Sequence, residues 1–537
     1  MLMLLLIKMK EKAYPFFIIS VIILTFFCGT VHYLNKPSYN WLSSSTIKFT
    51  NNWLSDGIAA DKYTMSEQPL SIEAQTLQER HPYISYPNGT VLLTYGIARL
   101  SGHSQIDMRF VKTVSTVFYL LDALLIGILI YLFLIYILKL KSGYGNIVLP
   151  VFLACLWIIL PNNVYYLKNV FFADQLVLFF IYLFLLLEAL KNFVPQTNPK
   201  NRKIINGLLF LTVFAGMMVE YYFWIQVFMV CLIHLIDSLI KKEKPIIILR
   251  KLSVYIIPAL SAIGYFILQI TQINNWRHVL ESKFMERTGQ SNVISQNYIL
   301  KIGYRVYQTY QAIGLLLFLV AFIAIIYLIV RKKRFDEVLK FSSILILPVI
   351  IQILVFMNHS AIHEFSMLKL GVPFLLGIIL ISYSITLYIK KSKLSFTPLS
   401  IIIITGYLFY IQWNIPAFYC ARLNGDKTLY MSGFEPIIEN LNQYENVFFS
   451  FTDSIPVNPP LSIAQTKKMV YKIGKTDDIK AKFPNLDSAA NIMLLVNKNA
   501  EKNAQILQEE QSVTENAELV KETGLFAVYK LNLSYRR

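Results

Sequence analysis

Apolar runs of about twenty residues recur along this chain, separated by polar stretches, and that alternation predicts a bundle of membrane-spanning helices. The runs cover residues 13–33, 111–138, 147–160, 171–190, 204–240, 252–270, 311–330, 341–357, 368–389 and 399–419. The run 204–240 is interrupted by Glu220, Tyr221 and Tyr222, which divides it into two short helices meeting at Glu220 and brings the expected number of spans to eleven. Cations gather at alternate gaps: Lys139 and Lys141, then Lys191, Lys200, Arg202 and Lys203, then Lys241, Lys242 and Lys244, then residues 331–334, then Lys390, Lys391 and Lys393. The gaps at Pro161 and His359 hold only Lys168 between them. By the positive-inside bias the basic gaps face the cytoplasm, which places the N-terminus there and everything after residue 423 outside. Lys8, Lys10 and Lys12 before the run 13–33 resemble the start of a signal peptide, but the run is long for one and no small-residue cleavage site follows, so it reads as a retained anchor.

Three stretches depart from this rhythm. The first outer loop, about 34–110, contains Trp-Leu-Ser-Asp-Gly at 53–57 and Arg-His-Pro-Tyr-Ile-Ser-Tyr-Pro-Asn-Gly-Thr at 80–90, then a partly apolar helix too short and polar to span. A connection of this length inside a compact chain is usually functional when it is not disordered, and its aromatic content argues for order. The second outer loop, 271–310, is basic and aromatic. From about residue 424 the composition changes: strand-like runs at 446–451, 492–496 and 525–531 alternate with polar helical stretches such as 501–513, which predicts a small α/β domain. The fold class expected is therefore a mainly α, polytopic membrane domain over 1–423 followed by an extracytoplasmic α/β domain over 424–537.

Composition narrows the function classes. With 55% hydrophobic and 15% charged residues among 537, the chain is too apolar for a soluble protein of its size. The net charge of +18 sits between membrane-length runs, so it reports topology and contact with anionic lipid, not nucleic acid. Cys28, Cys155, Cys231 and Cys420 lie in or beside apolar runs with no CxxC spacing, which points to buried thiols, not to a zinc site or a disulfide framework. No nucleophile elbow or phosphate loop occurs in the tail, and no internal repeat of the kind common in transporters is evident.

Ionisable residues at membrane depth are costly and point to function unless an ordinary partner explains them. Glu188 and Asp237 lie three and four residues before Lys191 and Lys241, where helical spacing permits plain ion pairs; Asp122 is deeper and reads equally as a packing acceptor or a functional group. Asp174 and Glu220 are expected near the outer face, on the same side as Asp56. Carboxylates gathered there can activate an acceptor hydroxyl as general base or hold a divalent cation through oxygen. In the second outer loop Arg277, Lys283 and Arg287 stand beside Trp276 and Phe284, suited to gripping a lipid phosphate while their stems lie on acyl chains; the alternative is a solvated helix paired through Glu281 and Glu286. His359 and His363, four apart, share a helix face, and with His81 and Tyr221 they complete the substrate-binding candidates.

In these features the chain resembles the GT-C class of integral membrane glycosyltransferases, near the protein mannosyltransferase and lipid A aminoarabinose transferase group, glycosyltransferase family 39. The carrying features are the acidic site at 53–57, the Pro-containing loop running into 90–100, the stretch 161–176 with Asp174, the paired helices around Glu220, the basic second outer loop and the terminal domain. The resemblance implies inverting transfer of a sugar from a polyprenyl-phosphate donor to an extracytoplasmic acceptor, whether protein, glycan or lipid, with the carrier phosphate as leaving group. It implies Asp56 as general base or ligand of a divalent metal ion, with Asp174 as the second carboxylate, and it places the protein in the cell membrane. Two departures stand out: Ser55-Asp56 replaces an adjacent Asp-Glu pair, and Glu220 stands where a Lys often follows the fifth span, so Arg277 or Arg287 is expected to take the carrier phosphate. The rival reading is a transporter or flippase of lipid-linked sugars.

Overall fold

The computed structural model describes residues 41–70, 75–140, 145–160, 162–163, 166, 170–195, 199–290, 297–332, 337–389, 396–425, 446–451, 470–482, 491–498, 504–524 and 526–531. The expected first span, 13–33, lies outside them, as does the start of the expected terminal domain at 424–445, save the last two residues of a helix.

Among the described residues fourteen helices precede the terminal sheet. Helix α1 is Trp41–Asp56, and a short antiparallel ribbon of β1 (Met65–Ser66) and β2 (Pro82–Tyr83) leads to α2, Gly89–Leu100. The bundle continues with α3 (Met108–Leu132, extended by a π-helical turn Phe133–Ile137), α4 (Gly145–Ile159), α5 (Ala173–Asn192), α6 (Pro199–Met217), α7 (Tyr221–Ile240) and α8 (Pro245–Ile270). Then come α9 (Trp276–Thr288), α10 (Tyr298–Lys332), α11 (Glu337–Val355), the short α12 (Met357–Ile362), a 3-10 segment Glu364–Leu370, α13 (Gly371–Tyr388) and α14 (Phe396–Gly425).

Local chemistry fixes several of these boundaries. Asp107 caps α3 by accepting from the Phe110 N–H at 2.9 Å. Glu220 caps α7 with an extended backbone and a carboxylate that accepts from the Tyr222 N–H, so the interruption at Glu220 is a true break between two helices. Gln311, at φ 57° and ψ −177°, breaks α10 where the second outer loop was expected to give way to a span. Gly289, at φ +85°, ends α9 in the left-handed region open to glycine.

Helix α5 is the axis of the bundle. It packs on α3 and α6, and its apolar window is 83% buried, against 22% for α8 and α10, which place most of their apolar surface on the outside. Seven helices are long and apolar enough to cross a membrane among the described residues, and the protein is an integral membrane protein. The expectation of ten spans after residue 40 is not matched by that number. Val148–Ile159 and Phe396–Ile411 are shorter apolar helices, and α6 opens on Lys200, Arg202 and Lys203.

Beyond the bundle, β3 (Asn446–Phe451), β4 (Val470–Ile473), α15 (Asp478–Lys482), β5 (Asn491–Asn497), α16 (Ala504–Thr514), β6 (Glu518–Glu522) and β7 (Phe526–Leu531) form a five-stranded mixed sheet in the order β4-β3-β5-β7-β6. The strands β3, β4 and β5 are parallel, while β7 runs antiparallel to β5 and β6. Five consecutive residues of β5 are buried, as expected of a central strand covered on both faces. The sheet touches the first loop through the Tyr471 hydroxyl, which donates to Gln68 Oε1 at 2.9 Å in a buried contact.

Candidate active site

Asp174 enters the first turn of α5 after an extended Phe172, and Glu220 sits at the start of α7. These two helix N-termini converge on one cation that the sequence reading did not single out. Lys369, in the 3-10 segment before α13, places its Nζ 2.6 Å from Asp174 Oδ1 and 3.5 Å from Glu220 Oε2, with all three side chains almost wholly buried. The signal was available, since a lone cation at the start of the apolar run 368–389 deserves the same suspicion as a carboxylate at that depth. Among the described residues Asp174 Oδ2 has no hydrogen-bond donor, so one oxygen is committed and the other is open. Burial, reinforced by Asp174 and opposed by Lys369, pushes the Glu220 carboxyl above the usual range.

The first loop is locked onto this cluster. Gly89 donates its N–H to the Met218 carbonyl at 2.7 Å, and Tyr221 donates its hydroxyl to Ile84 O at 3.3 Å. Asn358 reaches the Glu286 carbonyl at 2.6 Å, tying α9 to α12 and turning the end of α9 inward. As a result the Arg287 guanidinium lies 4.4 Å from the Tyr86 ring centroid and 5.4 Å from that of Tyr221, and it makes no ion pair among the described residues.

The basic trio expected in the second outer loop therefore divides. Lys283 forms an exposed pair with Glu286 at 2.8 Å, the solvated alternative, while Arg277 stacks on Trp276 with 5.3 Å between guanidinium carbon and ring centroid. Arg287 alone turns into the protein, yet all three line one groove of about 620 Å³. Its other walls are largely apolar, with Ile84, Trp224, Phe266, Leu280 and Phe356 among them, and Tyr221 lines it too.

The His359 and His363 rings lie 4.7 Å apart on and just after α12. Arg305 fixes this turn, donating to the carbonyls of Ala361 and Ile362 and pairing with Glu364 at 3.0 Å; the Tyr166 hydroxyl holds the other Glu364 oxygen. Burial, together with Arg287, holds the His359 imidazole well below its usual range, and burial also lowers His363, so both rings are neutral at pH 7. Among the described residues the buried His359 Nε2 has no hydrogen-bond partner.

Asp56 stands in a separate cluster. At the end of α1 its Oδ2 accepts from Arg80 at 2.5 Å and from the Leu70 N–H at 3.2 Å, while Oδ1 accepts from the Ser55 hydroxyl at 2.7 Å. Arg80 also holds Asp61 at 2.5 Å. No cation at helical spacing announced this pairing, because Arg80 comes 24 residues later and the turns of the loop bring it back. A divalent metal ion does not fit Asp56 in this arrangement: the guanidinium already neutralises it, and among the described residues no three His, Cys, Asp or Glu gather as metal ligands. His81, at φ 49°, has an exposed side chain on the same loop.

The remaining carboxylates sit elsewhere. Asp237 pairs with Lys241 at 2.9 Å, as helical spacing suggested, and also with Lys340 at 2.8 Å. Glu188 corrects its expectation: it accepts from His234 at 2.5 Å, from the Tyr255 hydroxyl at 2.5 Å and, one helical turn on, from the Asn192 amide at 2.6 Å, while Lys191 donates instead to Tyr255 at 3.1 Å. Lateral packing of α5 against its neighbours supplies the cationic and phenolic partners. Asp122 is fully buried, and among the described residues neither of its oxygens is hydrogen-bonded.

No protein-family model matches the chain, and no curated protein matches its sequence. Among solved structures it is similar to ArnT from Cupriavidus metallidurans bound to undecaprenyl phosphate, with 9% identity, a TM-score of 0.59, and coverage of 97% of this chain and 98% of that one. It is also similar to the Archaeoglobus fulgidus oligosaccharyltransferase tethered with an acceptor peptide containing the NVT sequon, with 11% identity, a TM-score of 0.50, and coverage of 90% of this chain and 69% of that one. At such identities the likeness is one of fold. With ArnT it runs nearly end to end in both chains, and the architecture is the one that resemblance to the GT-C class implies.

Proposed function

We propose that this protein is a membrane glycosyltransferase that moves a sugar from a polyprenyl-phosphate donor to an acceptor outside the cytoplasm. The observation that carries the reading is Arg287. A half-buried guanidinium with no carboxylate ion pair among the described residues, set against two tyrosine rings, lines a largely apolar groove of about 620 Å³ and acts on the charge of nearby Glu220, which shares Lys369 with Asp174. An apolar channel ending on an unpaired Arg suits an isoprenoid chain that ends in phosphate. The fold shared with an ArnT structure that holds undecaprenyl phosphate supports it.

In the reaction, the acceptor oxygen attacks the anomeric carbon and the bond from that carbon to the phosphate oxygen breaks. The electron pair leaves on the phosphate, where Arg287 stabilises the growing negative charge, so no proton donor is required. Attack opposite the leaving group inverts the anomeric centre. The acceptor proton passes to a carboxylate. In this geometry we assign that role to Asp174, whose Oδ2 is open while Lys369 fixes Oδ1, and the neutral His359 and His363 to hydrogen bonding of sugar hydroxyls. Asp56 becomes available to the acceptor when Arg80 is displaced from it.

The test is radiolabelled sugar transfer from a polyprenyl-phosphate sugar in proteoliposomes, alongside movement of that lipid between leaflets. Asp174→Asn should lower transfer by roughly two to four orders of magnitude with donor binding retained. Arg287→Ala should chiefly weaken donor use, and Arg287→Lys should restore it only in part because the bidentate fork is lost. If Asp56→Asn abolishes transfer while Asp174→Asn spares it, the base is Asp56. Lipid movement without transfer by the wild type would establish the flippase instead.

A further inference from the structure

At the opposite end of the bundle from Lys369 and Arg287, a second cavity of about 560 Å³ opens among the helix ends. Among the described residues six cations line it: Lys139 after α3, Lys191 at the end of α5, Arg202 at the start of α6, Lys241 after α7, Lys251 in α8 and Lys340 in α11. A positive-inside bias accounts for Lys and Arg near these helix ends, but not for their convergence from six segments on one concave space.

Their carboxylates do not balance them. Lys241 and Lys340 share a single Asp237 oxygen, at 2.9 and 2.8 Å. Lys139 has a loose, exposed contact with Glu337 at 3.2 Å, and Lys251 is paired with Glu243 at 2.5 Å. Arg202 makes no ion pair among the described residues. Behind the floor, the buried Glu188 is already engaged by His234 and Tyr255, and Tyr255 in turn receives the Lys191 ammonium at 3.1 Å. Among the described residues, counting Glu188 and Glu243 with the two carboxylates that line the cavity, four negative charges face six positive ones. Like charges held this close in a concave site focus a positive potential that a small polyanion relieves.

We propose that this cavity is a phosphate-binding site separate from the transfer site, with Arg202 as its bidentate contact and Lys191, Lys251 and Lys340 as surrounding point charges. Its volume suits a phosphate-bearing headgroup. Ile137, Leu138, Phe193 and Val338 give its lining an apolar part against which acyl chains can lie, so the phosphate of a lipid in the adjoining leaflet and a free phosphate are its two sources. The inference does not rest on the glycosyltransferase reading, because none of these residues belongs to that site.

The experiment is calorimetric titration of the full-length chain in phosphatidylcholine nanodiscs, in an Arg287→Ala background so that the other end contributes no phosphate site. The probes are dihexanoyl phosphatidic acid, inorganic phosphate and, as the control without phosphate, dihexanoylglycerol. Saturable, salt-sensitive binding of phosphatidic acid is expected, with no binding of dihexanoylglycerol. Arg202→Gln and Lys340→Gln should each weaken it by about tenfold, and Arg202→Lys by less. Tighter binding of the lipid than of inorganic phosphate assigns the site to a headgroup; equal affinity assigns it to free phosphate. Absence of binding by both phosphate probes, or binding unchanged by Arg202→Gln and Lys340→Gln in folded protein, overturns the proposal.

Discussion

Replacing Lys369 with Met tests the centre of the buried charge cluster directly. Met has nearly the length of Lys and fills the same space, so the substitution removes the charge and little else. The ammonium lies 2.6 Å from Asp174 and 3.5 Å from Glu220. At an effective dielectric of about 20, these contacts correspond to roughly 6 and 5 kcal/mol of attraction. Repulsion between the carboxylates and the desolvation of three charges offset most of that. What remains measurable on deleting the cation is the cost of two buried carboxylates with no partner, roughly 3–5 kcal/mol. Lys369→Met should therefore be destabilised by that amount in reversible unfolding from mixed micelles. The triple variant Asp174→Asn, Glu220→Gln, Lys369→Met, which has no buried charge left to compensate, should lie much closer to the wild type. That recovery separates an electrostatic role from a packing one. A stable Lys369→Met protein, or a triple variant no better than the single one, would refute the account of the cluster.

Three further outcomes follow from the first loop and the sheet. Burial pushes the Asp61 carboxyl up to about 6 despite Arg80; because the unfolded chain releases this proton near pH 4, the stabilisation is full below that pH and falls as pH rises through about 6, by roughly 3 kcal/mol in all. Unfolding measured from pH 3.5 to 7.5 should show that step, and Asp61→Asn should abolish it. A Cβ on Gly89 would stand 2.4 Å from the Met218 carbonyl oxygen, which is backbone and cannot swing aside, so Gly89→Ala should cost about 1–3 kcal/mol and reduce transfer by shifting the loop that carries Tyr86; unchanged stability and activity would show that this approach is not needed. With the four native cysteines removed, Ser512→Cys on α16 should react with a membrane-impermeant thiol reagent in intact cells, as the positive-inside bias predicts for the terminal sheet; labelling only after rupture would reverse the orientation.

The sequence by itself determined whatever depends on neighbours along the chain. Hydropathy with a helical period located the bundle, the charge at Glu220 marked the break between α6 and α7, and the change of pattern near residue 311 coincides with the kink in α10. The strand runs in the tail became β3, β5 and β7 for the same reason, since alternation and turn residues act over a few positions. Tertiary structure decided the partners. Lys369 meets Asp174 across 195 residues, His234 meets Glu188 across 46, and Arg80 reaches Asp56 across 24, at spacings that no local rule relates. It also chose among Arg277, Lys283 and Arg287, equivalent in composition, by anchoring α9 to α12 so that only Arg287 turns into the protein. A buried charge must find a counter-charge or a ligand wherever the packed helices supply one, because isolation in an apolar interior costs more than any preference along a single helix.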